Sequence, residues 1–153
     1  MEKKILMVCL GNICRSPLAE VLLRNKAFEA GYSIQVDSAG LLDYHEGENP
    51  DPRSVHNARI NGVDISAVVS RPVREPDFES HDFLFAMDES VLSQLRAIAD
   101  PRYHPKMILF LPFCGIRKQN VPDPYTGTEE DFQAVFELLD DATGRLLNKL
   151  AGL

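Results

Sequence analysis

The sequence predicts an α/β protein: a single three-layer domain in which a four-stranded parallel sheet has helices on both faces. Short apolar runs alternate with longer segments of helical periodicity along the chain. Helix start signals, either a capping residue beside a proline or a capping box, precede several of the helical segments. The 153 residues suit one compact core, so one domain is expected over 1–153.

Four short apolar runs are predicted to form the strands. The first is Lys4 to Cys9, and Ser33 to Ser38 is the second candidate. The third is Asp82 to Met87, and the fourth is Met107 to Leu111. Strands that alternate with helices are parallel, and such sheets bind ligands beyond the carboxyl ends of their strands. The loops at that edge are therefore where chemistry is expected.

The first helix is predicted from Ser16 to Ala30. Ser16 is its candidate N-cap, Pro17 suits the first helical position, and Gly31 supplies the stop. One apolar face of this helix is predicted to face the core, and it contains Leu18, Val21, Leu22 and Phe28.

Three further helices follow. One opens at Asp51-Pro52 and ends at Gly62, and another contains Leu92, Leu95 and Ile98. A capping box of Thr128 and Asp131 opens the last helix. The core-facing stripe of the last helix is Phe132, Val135, Phe136, Leu139, Leu146, Leu147 and Leu150.

Composition and charge exclude several classes of protein. The net charge is −7 without a long Lys or Arg block, which argues against nucleic-acid binding. No apolar run approaches the ~20 residues that span a bilayer, and Ile5 to Leu10 is too short for a signal peptide, so we expect no membrane insertion and a cytoplasmic protein. The three cysteines do not suggest a disulfide framework. The four histidines are scattered and no metal-ligand spacing occurs, so neither a metal nor another cofactor is expected.

The segment Val8 to Pro17 leaves the first strand and enters the first helix, and it has the features of a phosphate-binding loop. Gly11 and Asn12 tolerate left-handed backbone angles, so the loop can curl with its N–H groups inward. Such a ring of N–H groups binds anions, and the positive end of the following helix adds to it. Arg15 can donate two parallel hydrogen bonds to phosphate oxygens.

Cys9 would lie at the edge of this electropositive loop, a setting that favours the reactive thiolate. A thiolate in line with phosphorus can attack it, while Arg15 and the loop amides hold the remaining oxygens. Ser16 can donate a hydrogen bond to the sulfur and so help it leave in a second step. A bare Cys-x5-Arg pattern is common, but Gly-Asn inside it and Ser-Pro after it make it specific. The loop lacks the Gly-Lys-Ser/Thr ending of a nucleotide-binding loop.

At these residues the sequence resembles the low-molecular-weight protein tyrosine phosphatases. The loop CLGNICRSP matches that family's signature throughout. The resemblance implies a four-stranded parallel sheet, hydrolysis of phosphotyrosine through a cysteinyl-phosphate intermediate, and no metal. It extends along nearly the whole chain, at Ser38-Ala39-Gly40, Asp51-Pro52-Arg53, Ala86-Met87-Asp88 and Asp123-Pro124-Tyr125.

The resemblance also supplies a general acid. A phenolate leaving group needs a proton as the P–O bond breaks, and the resemblance assigns this task to Asp123. The same carboxyl group would then act as the base on the water that hydrolyses the intermediate. Taken without the resemblance, Asp123 is an aspartate in a proline-rich turn.

Other positions match residues that support or line the family's site. Asn12, Ser16 and Ser38 resemble the network that fixes the loop, although Ser38 also fits an ordinary turn. Leu10 and Ile13 would line the loop's rim. Tyr44 and Tyr125 match aromatic walls of the substrate cleft, although either ring could instead cover the core.

Cys14 is a second thiol in the loop. In the family it can form a reversible disulfide with the nucleophile, which would protect Cys9 from overoxidation. The alternative is that Cys14 is a small residue packed beneath the loop. Cys114 lies in an apolar stretch and is expected in the core.

The sequence departs from the family's pattern at two places. Thr126 stands where many members carry a second aromatic residue after Asp-Pro-Tyr, which changes the edge of the cleft. The segment from Ser66 to Arg71 lacks the histidine that many relatives place near Ala67, so one supporting contact to the loop is in doubt.

Two rival functions are considered. Arsenate reductases share the fold and loop, but those that use their own cysteines carry a pair near the third strand, and residues 80–93 contain none. A non-catalytic phosphotyrosine-binding module could lose the nucleophile or the acid, whereas Cys9, Arg15 and Asp123 are all present. The predicted partner is a tyrosine-phosphorylated protein or a small aryl phosphate, acted on by a monomer.

Overall fold

A computed structural model describes residues 2–152, so Met1 and Leu153, the ends of the predicted domain, lie outside the described residues. The predicted four-stranded parallel sheet is confirmed, with the strand order β2-β1-β3-β4. The strands are β1 (Lys3–Cys9), β2 (Ile34–Gly40), β3 (Phe83–Ala86) and β4 (Met107–Leu109).

Helices connect these strands and follow the last one. A 3-10 turn at Pro101–Lys106 leads into β4. No helix within residues 2–152 combines the length and hydropathy needed to cross a membrane. The α-helices are α1 (Arg15–Glu29), α2 (Pro52–Ile60), α3 (Glu75–Ser80), α4 (Glu89–Ile98), α5 (Phe110–Phe113) and α6 (Glu129–Ala151).

The sheet separates two cores, as the alternation of side chains along β1 shows. Ile5 and Met7 point into one core and Leu6 and Val8 into the other, and all four are fully buried. An unbroken apolar run such as Ile5 to Cys9 is the pattern of a parallel strand covered on both faces. The fold is therefore the predicted three-layer arrangement.

The two covering layers differ in size. Helices α1 and α6 pack on the larger core, and every residue of the predicted α6 stripe is buried. The predicted capping box of Thr128 and Asp131 opens α6. Helix α4 covers the smaller core through Val91 and Leu95, and Phe78 of α3 packs beside them.

Three differences between the predicted elements and the structure have a clear physical reason. The fourth strand ends at Leu109 rather than Leu111, because α5 begins there and Pro112 has no N–H for a strand ladder. Helix α1 begins at Arg15, so Ser16 lies inside the helix instead of capping it, and its hydroxyl contacts Cys9. Phe28 is 86% exposed. It lies ten residues after Leu18, which at about 100° per residue takes it off the buried face.

The strand order determines where a ligand can bind. Strand β1 lies between β2 and β3. The connection from β1 to β2 and the connection from β2 to β3 therefore run in opposite directions across the sheet. Open parallel sheets bind ligands at the carboxyl end of the strand where this reversal occurs. Cys9, the last residue of β1, lies at that point and pairs with Gly40 at the end of β2.

Candidate active site

The loop after β1 is held in its curled shape by Asn12. This residue has a left-handed backbone (φ 57°) and a fully buried side chain. Its Oδ1 accepts from the backbone N–H of Arg71 at 3.0 Å, and its Nδ2 donates to Ser16 Oγ at 2.8 Å and to Ser38 Oγ at 3.0 Å. Asparagine tolerates this conformation, and its amide joins three segments around the loop.

Gly11 serves the loop differently from the prediction. Its φ is not positive, so it supplies no left-handed turn. A Cβ on Gly11 would lie 3.3 Å from Cδ2 of His45, so glycine lets the imidazole approach the loop closely. The carbonyl of Gly11 accepts from Ser70 Oγ at 3.1 Å.

The Cys9 sulfur is surrounded by donors. The backbone N–H of Asn12 donates to Sγ at 3.2 Å, and Ser16 Oγ lies 2.9 Å from Sγ. Because the Asn12 amide already donates to Ser16 Oγ, the Ser16 hydroxyl hydrogen is free to point at the sulfur. Two donors can therefore be directed at the one sulfur.

This network continues to a buried carboxylate that the sequence did not reveal. Ser38 donates to Glu20 Oε1 at 2.5 Å, and Glu20 is 5% exposed. Arg24 contacts the other Glu20 oxygen at 2.5 Å and the Val36 carbonyl oxygen at 2.6 Å. Arg24 lines a small cavity together with Ala67. The Arg24 guanidinium therefore supports the network on the side where many relatives have a histidine and this chain has none.

Arg15 is buried at 2% exposure and its guanidinium is held by three groups. Its Nη1 donates to Asp88 Oδ2 at 2.6 Å and to the Val121 carbonyl at 3.0 Å, and its Nη2 lies 3.6 Å from Asp123 Oδ2. Burial opposes its charge, but the Cys9 sulfur and the two carboxylates outweigh burial and raise the pKa of Arg15. Asp88 was noticed in sequence only as part of the Ala86-Met87-Asp88 match.

The loop that carries Asp123 is fixed at both ends. Upstream, the Val121 N–H donates to the Met87 carbonyl at 2.8 Å. Downstream, Arg53 Nη2 donates to the Tyr125 carbonyl at 2.7 Å. The Tyr125 N–H donates to Asp123 Oδ1 at 3.1 Å, and the Asp123 side chain is 44% exposed. The carboxylate is thus restrained and open to solvent.

Asp51 completes the support of this loop. It accepts from the Arg53 backbone N–H at 2.9 Å as the N-cap of α2, and it forms a two-pronged ion pair with the Arg53 side chain. The hydrogen bonds from Arg53 lower the pKa of Asp51. The motif Asp51-Pro52-Arg53 therefore connects α2 to the loop that carries Asp123.

A cleft of about 230 Å³ opens above the loop. Cys9 and Arg15 lie at its floor, and it brings together most of the predicted site residues. Asn12, Ser16 and Ser38 lie buried beneath it rather than along it. Leu42 and His45 line the cleft but were missed, because neither carries a motif of its own. The predicted residues along the cleft are Leu10, Gly11, Ile13, Cys14, Tyr44, Asp123 and Tyr125.

The two remaining cysteines are free and buried. Burial raises the pKa of Cys14, and the nearby Asp51 adds to the effect, so Cys14 stays protonated at neutral pH. Burial raises the pKa of Cys114 to about 12, and Cys114 packs in the larger core as expected. Among the described residues, no three His, Cys, Asp or Glu side chains are grouped to hold a metal ion.

The fold and the cleft together define a class of protein. A cysteine among inward-facing donors, a buried arginine six residues later and a parallel sheet that reverses at that strand are the features of a Cys-x5-Arg phosphate-handling protein. The family model described as low molecular weight phosphotyrosine protein phosphatase matches residues 4–152. The chain belongs to that family.

Individual relatives agree with this assignment. Low molecular weight phosphotyrosine protein phosphatase 1 of Drosophila melanogaster is 39% identical, and the match covers 82% of this chain and 81% of that protein. The crystal structure of a protein tyrosine phosphatase from Entamoeba histolytica superposes with a TM-score of 0.93 at 37% identity, covering 99% and 98% of the two chains. Vibrio vulnificus Wzb, solved in complex with benzylphosphonate, gives 0.87 at 30% identity, covering 97% and 99%.

Proposed function

We propose that this phosphatase hydrolyses phosphotyrosine through a cysteinyl-phosphate on Cys9, with Asp123 as general acid and base and without a metal. The observation that carries the proposal is the Cys9 sulfur with two donors aimed at it, on the floor of a cleft that also contains Arg15 and Asp123. These are the groups that a nucleophile, an anion clamp and a proton donor require.

In the first step, the Cys9 thiolate attacks phosphorus, the S–P bond forms and the P–O bond to the tyrosine breaks. Arg15 and the loop N–H groups hold the three peripheral oxygens, where charge is spread in a loose transition state. Asp123, 3.6 Å from Arg15, gives its proton to the departing phenolate oxygen.

In the second step, water attacks the phosphoryl group and Asp123, now a carboxylate, takes the proton from that water. The S–P bond breaks and inorganic phosphate leaves. The Ser16 hydroxyl, 2.9 Å from Sγ, stabilises the thiolate as it departs. The thiolate and the protonated acid are then restored for the next cycle.

The cleft supports an aromatic phosphomonoester as the substrate. Tyr44 and Tyr125 line it beside the apolar Ile13, and flat rings between such walls gain contact area. The benzylphosphonate held by the relative from Vibrio vulnificus carries the same combination of a ring and a phosphorus oxyanion. Both a tyrosine-phosphorylated protein and a small aryl phosphate are compatible with this cleft. The cytoplasmic location and the monomeric state of the protein stay predictions.

The test compares p-nitrophenyl phosphate with phosphotyrosine, in reductant and a chelator, for the native protein, Cys9→Ser, Asp123→Ala and the control Asp141→Ala. Asp141 is an exposed α6 carboxylate paired with Arg145. We expect Cys9→Ser to remove activity and Asp141→Ala to leave it intact. Asp123→Ala should lower kcat by roughly 10²–10⁴-fold, and more for phosphotyrosine, whose leaving group is more basic.

Mass spectrometry provides a second readout. When the reaction of Asp123→Ala with substrate is stopped during turnover, the peptide that contains Cys9 should carry one phosphoryl group. Full activity in Cys9→Ser, or equal losses from Asp123→Ala on both substrates, would contradict the assigned roles.

A further inference from the structure

Two aliphatic side chains, Leu10 and Leu42, lie at the rim of the cleft and are not needed for the chemistry. They are 37% and 46% exposed, whereas Cys9 on the floor is 3% exposed and Ile13 is 8% exposed. Large apolar side chains left in water beside a binding cleft are characteristic of surfaces that a ligand covers. We call Leu10 and Leu42 the aliphatic ledge.

The aliphatic ledge is fixed relative to the nucleophile. The N–H of Leu42 donates to the Leu10 carbonyl at 3.0 Å, and the N–H of Leu41 donates to the Cys9 carbonyl at 3.0 Å. These bonds lie directly beyond the last pair of β1 and β2, in which Cys9 is opposite Gly40. The two loops that carry Leu10 and Leu42 are therefore tied to each other directly beyond the ends of β1 and β2, which fixes the ledge beside the nucleophile.

The rim is chemically divided. Tyr44 and Tyr125 provide aromatic rings, and His45 lies between them with ring centroids 4.9 Å and 6.5 Å away. The ledge contributes only aliphatic surface, and the exposed Asp43 directly follows Leu42. A substrate residue that lies on the ledge gains from being apolar and is repelled if it is acidic.

We infer that the aliphatic ledge selects phosphotyrosine peptides that carry a bulky aliphatic residue next to the phosphotyrosine. The inference rests on the proposed function and narrows its substrate class from any aryl phosphate to peptides of this kind. An aryl phosphate seated on Cys9 fills the floor and has no chain to cover the rim, whereas a peptide continues past the ring on either side.

The test uses phosphotyrosine peptides that differ only in the residue immediately before or after the phosphotyrosine: Leu, Ala or Glu. At one of these positions, kcat/KM should be about fivefold higher with Leu than with Ala, and higher still relative to Glu. In Leu42→Ser the Leu-to-Ala ratio should fall towards one, while Leu42→Met should retain most of it. Ile98→Ser, which changes an aliphatic side chain 57% exposed on α4, is the matched control and should leave the ratio unchanged.

The same peptides are titrated against Cys9→Ser with and without Leu42→Ser, so that the dissociation constants report recognition without turnover. A Leu-to-Ala ratio near one at both positions in the native protein would overturn the inference. So would an equal loss on all peptides and on p-nitrophenyl phosphate in Leu42→Ser, since Leu42 would then act on the catalytic loop. Failure of the native protein to hydrolyse any substrate would instead contradict the proposed function, and the binding series would still test the ledge.

Discussion

Gly40 ends β2 at the point where the strand meets the phosphate-binding loop, and its missing side chain makes that approach possible. A Cβ at this position would lie 3.0 Å from the Gly11 carbonyl carbon, 3.0 Å from the Leu10 carbonyl oxygen and 3.1 Å from the Asn12 nitrogen. All three neighbours are backbone atoms of the loop. None of them can move aside as the end of a flexible side chain would.

Gly40→Ala should therefore displace the loop by a few tenths of an ångström. Overpacking of this kind costs about 1–3 kcal/mol, which corresponds to a fall in Tm of roughly 2–12 °C for a chain of this size. The displaced Asn12 N–H is the group that donates to Cys9 Sγ at 3.2 Å. We expect kcat/KM for an aryl phosphate to fall by about tenfold, because small misplacements of reacting groups are costly.

The assay combines thermal unfolding with steady-state kinetics, and Gly144→Ala is the matched control. Gly144 lies inside α6, and its nearest neighbour to a new Cβ would be Lys26 Cε at 4.0 Å. Alanine there should stabilise the helix by about 0.5–1 kcal/mol and leave activity unchanged. Native-like Tm and activity in Gly40→Ala would refute the close approach of β2 to the loop.

Two further variants test the groups that hold the site. The lowered pKa of Asp51 means that its pairing with Arg53 stabilises the fold above the pKa of the unfolded chain and is lost as pH falls through the folded value. Asp51→Asn keeps the capping oxygen of α2 and removes the ion pair with Arg53, so it should cost about 0.2–1 kcal/mol at pH 7, measured by chemical unfolding. The difference should shrink below about pH 4. Asp88→Asn keeps an oxygen to cap α4 but removes the charge that pairs with buried Arg15, so kcat/KM should fall by about tenfold, and unchanged kinetics would contradict a positioning role for Asp88.

Much of the fold could be predicted because its signals are local. Apolar runs gave the four strands, and the capping box gave the start of α6. The errors occurred at residues whose local structure is determined by tertiary contacts rather than by their neighbours in sequence. Ser16 reads as an N-cap from its neighbours, but the loop turns its hydroxyl towards Cys9. Phe110 and Leu111 read as strand, but they are buried in the first turn of α5.

The candidate site divides in the same way. The loop from Cys9 to Arg15 is contiguous, so its residues could be named from sequence. Asp88 and Glu20 could not, since a carboxylate after a strand and another within a helix have no pattern that shows what they contact. The structure shows their roles, because Asp88 lies 2.6 Å from Arg15 and Glu20 lies 2.5 Å from Ser38.

The histidine that many relatives place near Ala67 is absent from this chain, and other residues support the loop in its place. A carboxylate as buried as Glu20 is costly unless it is fully paired, and here Ser38 and Arg24 each contact one of its oxygens. Histidine gains and loses its charge near neutral pH, whereas arginine stays charged throughout the range in which proteins fold. With Arg24 as the outer partner, the chain of contacts from Glu20 through Ser38 and Asn12 to the Cys9 sulfur contains no histidine.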